Sequence, residues 1–123
     1  MGYARLVGKA QMTAPLESET QRDIMLAAPS EGCRLLRNNV GVLQDIRGQH
    51  VRYGVGGSGG SDLIGWGPGG VFVAIEVKRK GKKPTPEQLA FIEAVNNAGG
   101  IAAVCYSVED FRAAVRTHNA AAT

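Results

Sequence analysis

Two carboxylates and one lysine in the middle of the sequence are of the types that metal-assisted hydrolysis requires. Asp62 follows a glycine-rich segment, and Glu76 and Lys78 stand two residues apart at the end of the apolar run 71–78. Mg²⁺ binds one or two protein carboxylates together with water and a substrate phosphate. Hydrolysis of a phosphodiester uses such a cation to neutralise charge on the phosphoryl oxygens and to generate a nucleophile from water. Lysine can orient or activate that water, so each of the three residues has a role in this reaction.

The run 71–78 alternates in the manner of a β-strand. Its odd-numbered residues are aliphatic and are predicted to share one face, whereas Glu76 and Lys78 share the other, about 6 to 7 Å apart along the strand. A Glu-x-Lys pair alone is a weak indication, because opposite charges two residues apart are common on exposed sheet faces. A hairpin that brings Asp62 toward Glu76 would make all three side chains converge. The main-chain carbonyl of Val77 could then add a metal ligand.

The elements that must position these residues follow from hydrophobic periodicity and from the glycines and prolines that punctuate it. We expect a helix at 15–28 stopped by Pro29, a strand at 33–38, an irregular glycine-rich stretch from 41 to 60, a hairpin of strands at 62–65 and 71–78, a helix at 86–98, a strand at 101–106 and a helix after Ser107. This order predicts an α/β domain with a mixed β-sheet flanked by α-helices, in which the strands at 71–78 and 101–106 are parallel.

Length and composition predict one globular domain. The chain has 123 residues, of which 44% are hydrophobic and 20% charged. Residues 1–14 show no clear period and are predicted to be a flexible N-terminal arm, residues 15–119 the folded domain, and residues 120–123 a tail. No apolar run is long enough to cross a bilayer and no secretory signal is recognisable, so we expect a cytoplasmic protein.

The cysteines and histidines argue for a metal held by oxygen. Cys33 and Cys105 are far apart and flanked by aliphatic residues, which favours buried thiols over a disulfide. His50 and His118 have no zinc-binding spacing between them or with the cysteines.

Three segments in order resemble one family of nucleases. Gly59-Gly60-Ser61-Asp62, Ile75-Glu76-Val77-Lys78 and Thr85-Pro86-Glu87-Gln88 resemble the PD-(D/E)XK superfamily and, within it, the virus-type replication-repair nuclease (VRR-NUC) family. The likeness covers most of the chain, with further matches at Glu19-Thr20-Gln21, 37–41, 51–54, Gly99-Gly100, Val104 and Ser107. Ser61 stands where the superfamily name has proline, but the aspartate is the metal ligand.

The resemblance implies a fold, a reaction and partners. It implies a restriction-endonuclease-like fold and a DNA endonuclease that uses Mg²⁺ or Mn²⁺, leaves a 5′-phosphate and a 3′-hydroxyl, and needs no small-molecule cofactor. It further implies a homodimer that acts on branched DNA such as four-way junctions, as stand-alone members of the family do. A catalytically inactive DNA-binding or assembly module with the same fold is the alternative, in which the acids form ordinary ion pairs.

Two further residues are implied by the resemblance, and each has a competing structural role. Gln88 matches a glutamine of the active site, yet with Thr85 it also forms a sequence capping box at the start of a helix. Glu19 matches an acid of the first helix that approaches the metal, yet acids also stabilise a first helical turn. Glu17 is close enough to leave that assignment open.

Basic and amide residues could contact the DNA backbone. Five of the six residues from Lys78 to Lys83 are lysine or arginine, and the net charge is +3. Such a run is either a solvated loop or a surface that follows phosphates. The candidate contacts are Arg37, Asn38, Asn39, Arg52, Arg79, Lys80, Lys82 and Lys83.

Overall fold

The computed structural model of the chain describes residues 15–122. This part contains the helices α1 (Glu17–Ala27), α2 (Pro86–Asn97) and α3 (Val108–Ala122) and the strands β1 (Arg34–Arg37), β2 (Gly41–Gln44), β3 (His50–Tyr53), β4 (Leu63–Trp66), β5 (Phe72–Val77) and β6 (Ile101–Cys105). The flexible arm expected at residues 1–14 lies outside the described part. None of the described helices has the length and apolar character needed to cross a membrane.

A four-stranded mixed sheet carries the domain. Its strand order is β1-β4-β5-β6, with antiparallel pairing between β1 and β4 and between β4 and β5, and parallel pairing between β5 and β6. The hairpin and the parallel crossover through α2 are therefore confirmed. So is the fold class, a mixed sheet flanked by helices, consistent with the restriction-endonuclease-like architecture.

The central strand β5 is buried on both faces because helices cover the sheet on two sides. On one side Val73, Ile75 and Val77 pack in a cluster with Ile24 of α1 and Phe111 of α3. On the other side, Ala74 of β5 packs with Ile92 and Val95 of α2. Burial of this apolar area supplies most of the driving force for folding. It also carries Glu76, on the same face as Ala74, into the interior.

Both cysteines are free and buried, as expected. Burial raises the pKa of Cys105 to about 12. The thiol is therefore a poor nucleophile at neutral pH.

The stretch 41–60, expected to be irregular, contains a regular hairpin. Strand β2 pairs antiparallel with β3, and together they form a two-stranded sheet separate from the main one. Polar and basic residues mixed among the apolar ones hid the strand period from the sequence. The turn is set by Asp45, whose Oδ1 accepts hydrogen bonds from the backbone N–H groups of Arg47 and Gln49 at 2.8 and 2.9 Å.

Two helix ends also differ from expectation. Pro29 stops α1 as an α-helix, but the chain continues as one 3-10 turn, Ala28–Glu31, because proline is compatible with the first turn of a new helix. Helix α3 runs through Ala122, where the sequence suggested a tail at 120–123. Glu31, in the 3-10 turn, forms ion pairs with Arg112 and Arg116 of α3 at 2.6 and 3.2 Å. Both guanidinium groups lower the pKa of its carboxyl.

Candidate active site

The β4–β5 hairpin brings Asp62 to the end of β5. Leu63 pairs with Ile75, so Asp62 stands one step beyond this pair, on the side where Glu76 follows Ile75. Oδ2 of Asp62 accepts a hydrogen bond of 2.7 Å from the backbone N–H of Val77. The carboxylate is thus fixed against the main chain of the residue that lies between Glu76 and Lys78.

Glu76 is a buried acid with one oxygen satisfied and one not. Only 2% of the residue is exposed. Its Oε2 lies 3.6 Å from Nζ of Lys78 and accepts a 3.2 Å hydrogen bond from Nε2 of Gln88. Among the described residues, Oε1 has no hydrogen-bond partner. A buried carboxylate oxygen without a donor is unfavourable, so this position is suited to an added positive charge.

The same environment shifts the titration of Glu76. Burial, followed by the negative charge of Asp62 beside it, raises the pKa of Glu76 to about 8, although Lys78 acts in the opposite direction. Two carboxylates in one partly buried place cannot both ionise easily unless a cation joins them. Strong perturbation by a specific neighbour is typical of functional acids.

Lys78 lies at the end of β5 with only 16% of its side chain exposed. Its backbone N–H donates to the carbonyl of Cys105 at 3.0 Å, which continues the parallel pairing with β6 for one more residue. The ammonium group is therefore held on the same side as Glu76, and its reach toward other parts of the surface is limited.

Gln88 caps α2 and also contacts Glu76. Its backbone N–H donates to Oγ1 of Thr85 at 3.1 Å, and its Oε1 accepts from the backbone N–H of Thr85 at 2.9 Å, so the capping box is complete. Its Nε2 remains available and donates to Glu76. One side chain thus caps α2 with its oxygen and holds a carboxylate of β5 with its nitrogen.

Of the two first-helix acids, Glu17 rather than Glu19 reaches the end of β5. Oε2 of Glu17 accepts a 3.2 Å hydrogen bond from the backbone N–H of Arg79, the residue after Lys78. Glu19 is exposed and turns back on its own helix, where Oε1 accepts from the backbone N–H of Leu16 at 3.4 Å. No described contact joins Glu19 to Asp62, Glu76 or Lys78.

The side chains of Asp62 and Glu76 offer oxygen ligands, which is the type that a hard divalent cation prefers. In the described part of the chain, no three histidine, cysteine, aspartate or glutamate side chains form a group that could hold a metal. Two carboxylates do converge, and a hard cation such as Mg²⁺ is commonly bound by one or two carboxylates with the remaining positions filled by water. The unpartnered Oε1 of Glu76 is the atom of this structure that such a cation would satisfy.

Asn38 has a structural function that the sequence did not indicate. Its Nδ2 donates to the carbonyls of Val55 and Ser61 at 2.8 and 2.9 Å, and its Oδ1 accepts from the backbone N–H of Val55 at 2.9 Å. Its own backbone N–H donates to the carbonyl of Asp62 at 2.8 Å. The side chain is therefore engaged within the protein, and it fixes the glycine-rich loop that leads into Asp62.

Close packing explains two glycines of that loop. A Cβ at Gly59 would clash with the carbonyl oxygen of Glu87, and one at Gly60 would clash with that of Val55. Glycine is needed at both because backbone meets backbone there. The loop therefore rests on the first turn of α2, next to Gln88.

The other predicted DNA contacts are on the surface, in three places. Arg37 is exposed and donates to Oε1 of Gln21 at 2.6 Å, and Asn39 is exposed beside it. Arg52 lies on β3. The remaining four, Arg79, Lys80, Lys82 and Lys83, follow β5 and line an open cavity of about 480 Å³ together with Tyr106. The hydroxyl of Tyr106 donates to the carbonyl of Lys82 at 2.9 Å and supports this basic loop.

Comparison with known proteins gives one match. A family model for the VRR-NUC domain matches residues 16–109. No curated protein and no solved structure matches the chain. The matched range covers about three quarters of the sequence and extends from α1 through β6 into the first turn of α3.

Proposed function

This chain belongs to the VRR-NUC domain family of DNA-processing nucleases, and we propose that it is an endonuclease that cleaves DNA with Mg²⁺ or Mn²⁺ held by Asp62 and Glu76. One observation carries the proposal. Oε1 of Glu76 is buried without a partner, while Oε2 of the same carboxylate is held by Lys78 and Gln88 and Asp62 lies beside it. An ordinary ion pair between Glu76 and Lys78 would not require the second acid, Asp62, beside it, whereas a cation would neutralise both acids.

In the proposed mechanism, Asp62 and Glu76 hold the cation together with the main-chain carbonyl of Val77. When bound, such a cation stabilises charge on the phosphoryl oxygens and lowers the pKa of water in the site. Lys78 orients the attacking water and places a positive charge near the scissile phosphate. Gln88 donates to Oε2 of Glu76 and so keeps that carboxylate in one orientation.

An acid of the first helix assists at the edge of the site. The family resemblance pointed to Glu19 for this role, whereas the hydrogen bond from Arg79 supports Glu17. We therefore propose that Glu17 helps to orient the end of β5 and the water near it.

The substrate is proposed to be branched DNA bound by a pair of chains. Arg37, Asn39, Arg52, Arg79, Lys80, Lys82 and Lys83 would contact phosphates, and Asn38 would act by holding the loop before Asp62. Phosphate contacts position a protein on DNA and make binding sensitive to salt. A domain of this size has little surface with which to enclose a branch alone, so a two-fold dimer is the natural arrangement.

A charge-neutral substitution tests the proposal. Asp62→Asn keeps an oxygen that can accept the hydrogen bond from Val77 but removes the negative charge, and Asp23→Asn is the matched change at an exposed acid of α1. Plasmid and four-way junction DNA are incubated with each protein in Mg²⁺, beside Lys78→Ala. We expect Asp62→Asn and Lys78→Ala to cleave at least about 100-fold more slowly than the wild type, and Asp23→Asn to be normal.

Metal titration separates the nuclease from an inactive module. Calorimetry with Mn²⁺ should show binding to the wild type and a large loss of binding for Asp62→Asn. Equal cleavage by wild type, Asp62→Asn and Lys78→Ala would exclude the proposed active site. Tight DNA binding without any metal binding or cleavage would instead support the DNA-binding module.

A further inference from the structure

The β2–β3 hairpin forms a ribbon outside the main sheet. Seven of its eight strand residues are exposed, and the eighth, Gly41, is half-buried. An isolated two-stranded hairpin is only marginally stable in water. A ribbon that the described part of the chain leaves uncovered on both faces is therefore a surface suited to a partner.

The two faces of the ribbon differ in chemistry. Residues that pair directly across the strands share a face, because side chains alternate along each strand. Gln44, His50 and Arg52 lie on one face together with Val42, and Leu43, Val51 and Tyr53 lie on the other together with Gly41. The first face can donate hydrogen bonds and positive charge, whereas the second offers apolar contact.

The tip of the ribbon is ordered and presents an isoleucine to solvent. Asp45 holds the turn through two hydrogen bonds from backbone N–H groups, and the backbone N–H of Gly48 donates to the carbonyl of Asp45 at 2.9 Å. Ile46 is fully exposed, with 103% of its reference area, and Arg47 is exposed beside it. Covering this exposed apolar side chain with a partner would lower the free energy of the complex.

The base of the ribbon is tied to the active site. Asn38, before β2, forms two hydrogen bonds with Val55, after β3, and a third with Ser61, the residue before Asp62. From Gly41 to Ile46 the strand extends about 17 Å at about 3.4 Å per residue. DNA whose phosphate lies at Asp62 would therefore meet the protein beside the base of the ribbon.

We propose that the β2–β3 hairpin is a DNA-binding arm in which Arg47 and Arg52 contact phosphates and Ile46 packs against bases at the tip. This inference rests on the proposed function, because that function places DNA at the foot of the arm. A two-stranded ribbon fits a DNA groove, and apolar side chains that enter a base step kink the duplex.

Charge favours DNA over a second copy of the chain as the occupant. Between residues 41 and 53, Asp45 is the one acid, and its carboxylate is engaged by the turn. Within the described residues, the guanidinium groups of Arg47 and Arg52 have no acceptor. DNA phosphates would neutralise these cations, whereas the ribbon of a second copy has only the carboxylate of Asp45, which its own turn already engages.

The test measures binding separately from cleavage. Labelled four-way junction DNA is titrated in Ca²⁺, to avoid turnover, with wild type and with the double variant Arg47→Gln, Arg52→Gln. The matched control is Arg22→Gln, an exposed arginine of α1. We expect binding to weaken at least about tenfold for the double variant, with a salt dependence shallower by about two ions, and to change less than about twofold for the control.

The tip is tested with a fluorescent base. Junction DNA that contains 2-aminopurine becomes brighter when the base loses its stacking neighbours, so we expect a rise with wild type and little rise with Ile46→Ser. Leu26→Ser is the matched control, since Leu26 is an exposed apolar residue of α1. Unaltered circular dichroism shows that each variant is folded.

The outcomes distinguish the arm from the nuclease. If the arm variants bind junction DNA as tightly as the wild type and give the same fluorescence, the ribbon is not a DNA-binding arm. The proposal is also wrong if Leu43→Ser lowers the molecular mass of the protein in solution, from dimer to monomer, while DNA binding stays normal. Wild-type protein that binds through the arm but never cleaves in Mg²⁺ would refute the nuclease and leave the arm standing.

Discussion

Nε2 of Gln88 lies 3.2 Å from Oε2 of Glu76, and this hydrogen bond joins the first turn of α2 to the end of the buried strand β5. Because Oε1 of the same amide caps α2, the position of the helix and the orientation of the carboxylate are set by one residue. Movement of α2 would therefore change the geometry at Glu76.

Gln88→Glu should separate these two functions. Glutamate at this position can still accept the hydrogen bond from the backbone N–H of Thr85, but it cannot donate to Glu76 and adds a negative charge beside it. We expect the free energy of unfolding in Mg²⁺ to change by less than about 1 kcal/mol, whereas the cleavage rate falls at least about tenfold.

The pH profile identifies Gln88 as a positioning residue. The added charge should raise the pKa of Glu76 further. The pH above which the cleavage rate increases should therefore be higher for Gln88→Glu than for the wild type. Gln88→Ala is the comparison, because it loses both functions and should lower stability and rate together. A Gln88→Glu protein with wild-type rate and pH profile would show that the contact with Glu76 has no catalytic value.

The raised pKa of Glu76 predicts how the metal-free protein responds to pH. Its pKa is about 8 in the folded protein against an ordinary value of 4.5. The folded state therefore holds the proton more tightly, so this group's stabilisation is fully present below pH 4.5 and is lost as pH rises through 8. Glu76→Gln cannot titrate and should lack this loss.

Thermal unfolding in EDTA between pH 5 and 9 measures the effect. Relative to Glu76→Gln, the Tm of the wild type should fall by several degrees across this range, and excess Mg²⁺ at pH 8.5 should restore it. Glu93→Gln, at an exposed acid of α2, should run parallel to wild type. Parallel curves for wild type and Glu76→Gln would contradict the raised pKa.

The two acids of α1 should have different effects when neutralised. Glu17→Gln weakens the hydrogen bond to the backbone N–H of Arg79 at the end of β5, so we expect the cleavage rate to fall about tenfold. Glu19→Gln changes a helix cap and should lower the free energy of unfolding by only about 0.5 kcal/mol with normal cleavage. Single-turnover rates and urea unfolding of both variants provide the measurement, and the reverse order of effects would restore Glu19 as the first-helix acid of the site.

Asn38→Asp should loosen the loop that carries Asp62. The aspartate keeps an acceptor for the backbone N–H of Val55 but loses both donations and faces the carbonyls of Val55 and Ser61 with a negative charge. We expect a loss of about 2 to 4 kcal/mol in the free energy of unfolding, together with slower cleavage. The neighbouring exposed residue provides the control, since Asn39→Asp should change stability by less than about 0.5 kcal/mol. Similar effects at both positions would mean that Asn38 does not fix the loop.

Much of the fold could be predicted from the sequence because its signals are local. The alternation in 71–78, the capping residues before Gln88 and the glycines at 99 and 100 each act within a few residues, and they indicated β5, α2 and β6 with bounds that differ from the structure by at most one residue at each end. The hairpin β2–β3 was missed because its exposed strands mix polar and apolar residues. Only a buried face enforces a strict alternation.

The sequence by itself determined the family and the mixed sheet, and it identified Asp62, Glu76 and Lys78 as candidate site residues. Residue type and strand period are properties of short segments, so they can be recognised without the structure. Only the tertiary structure decided that Glu17 rather than Glu19 meets the end of β5, that Gln88 both caps a helix and holds Glu76, and that Asn38 fixes the loop before Asp62. Each of these findings depends on hydrogen bonds between segments that are far apart in the sequence. Such bonds form only when the folded chain brings donor and acceptor to within about 3 Å of each other, and no pattern along the chain encodes that distance.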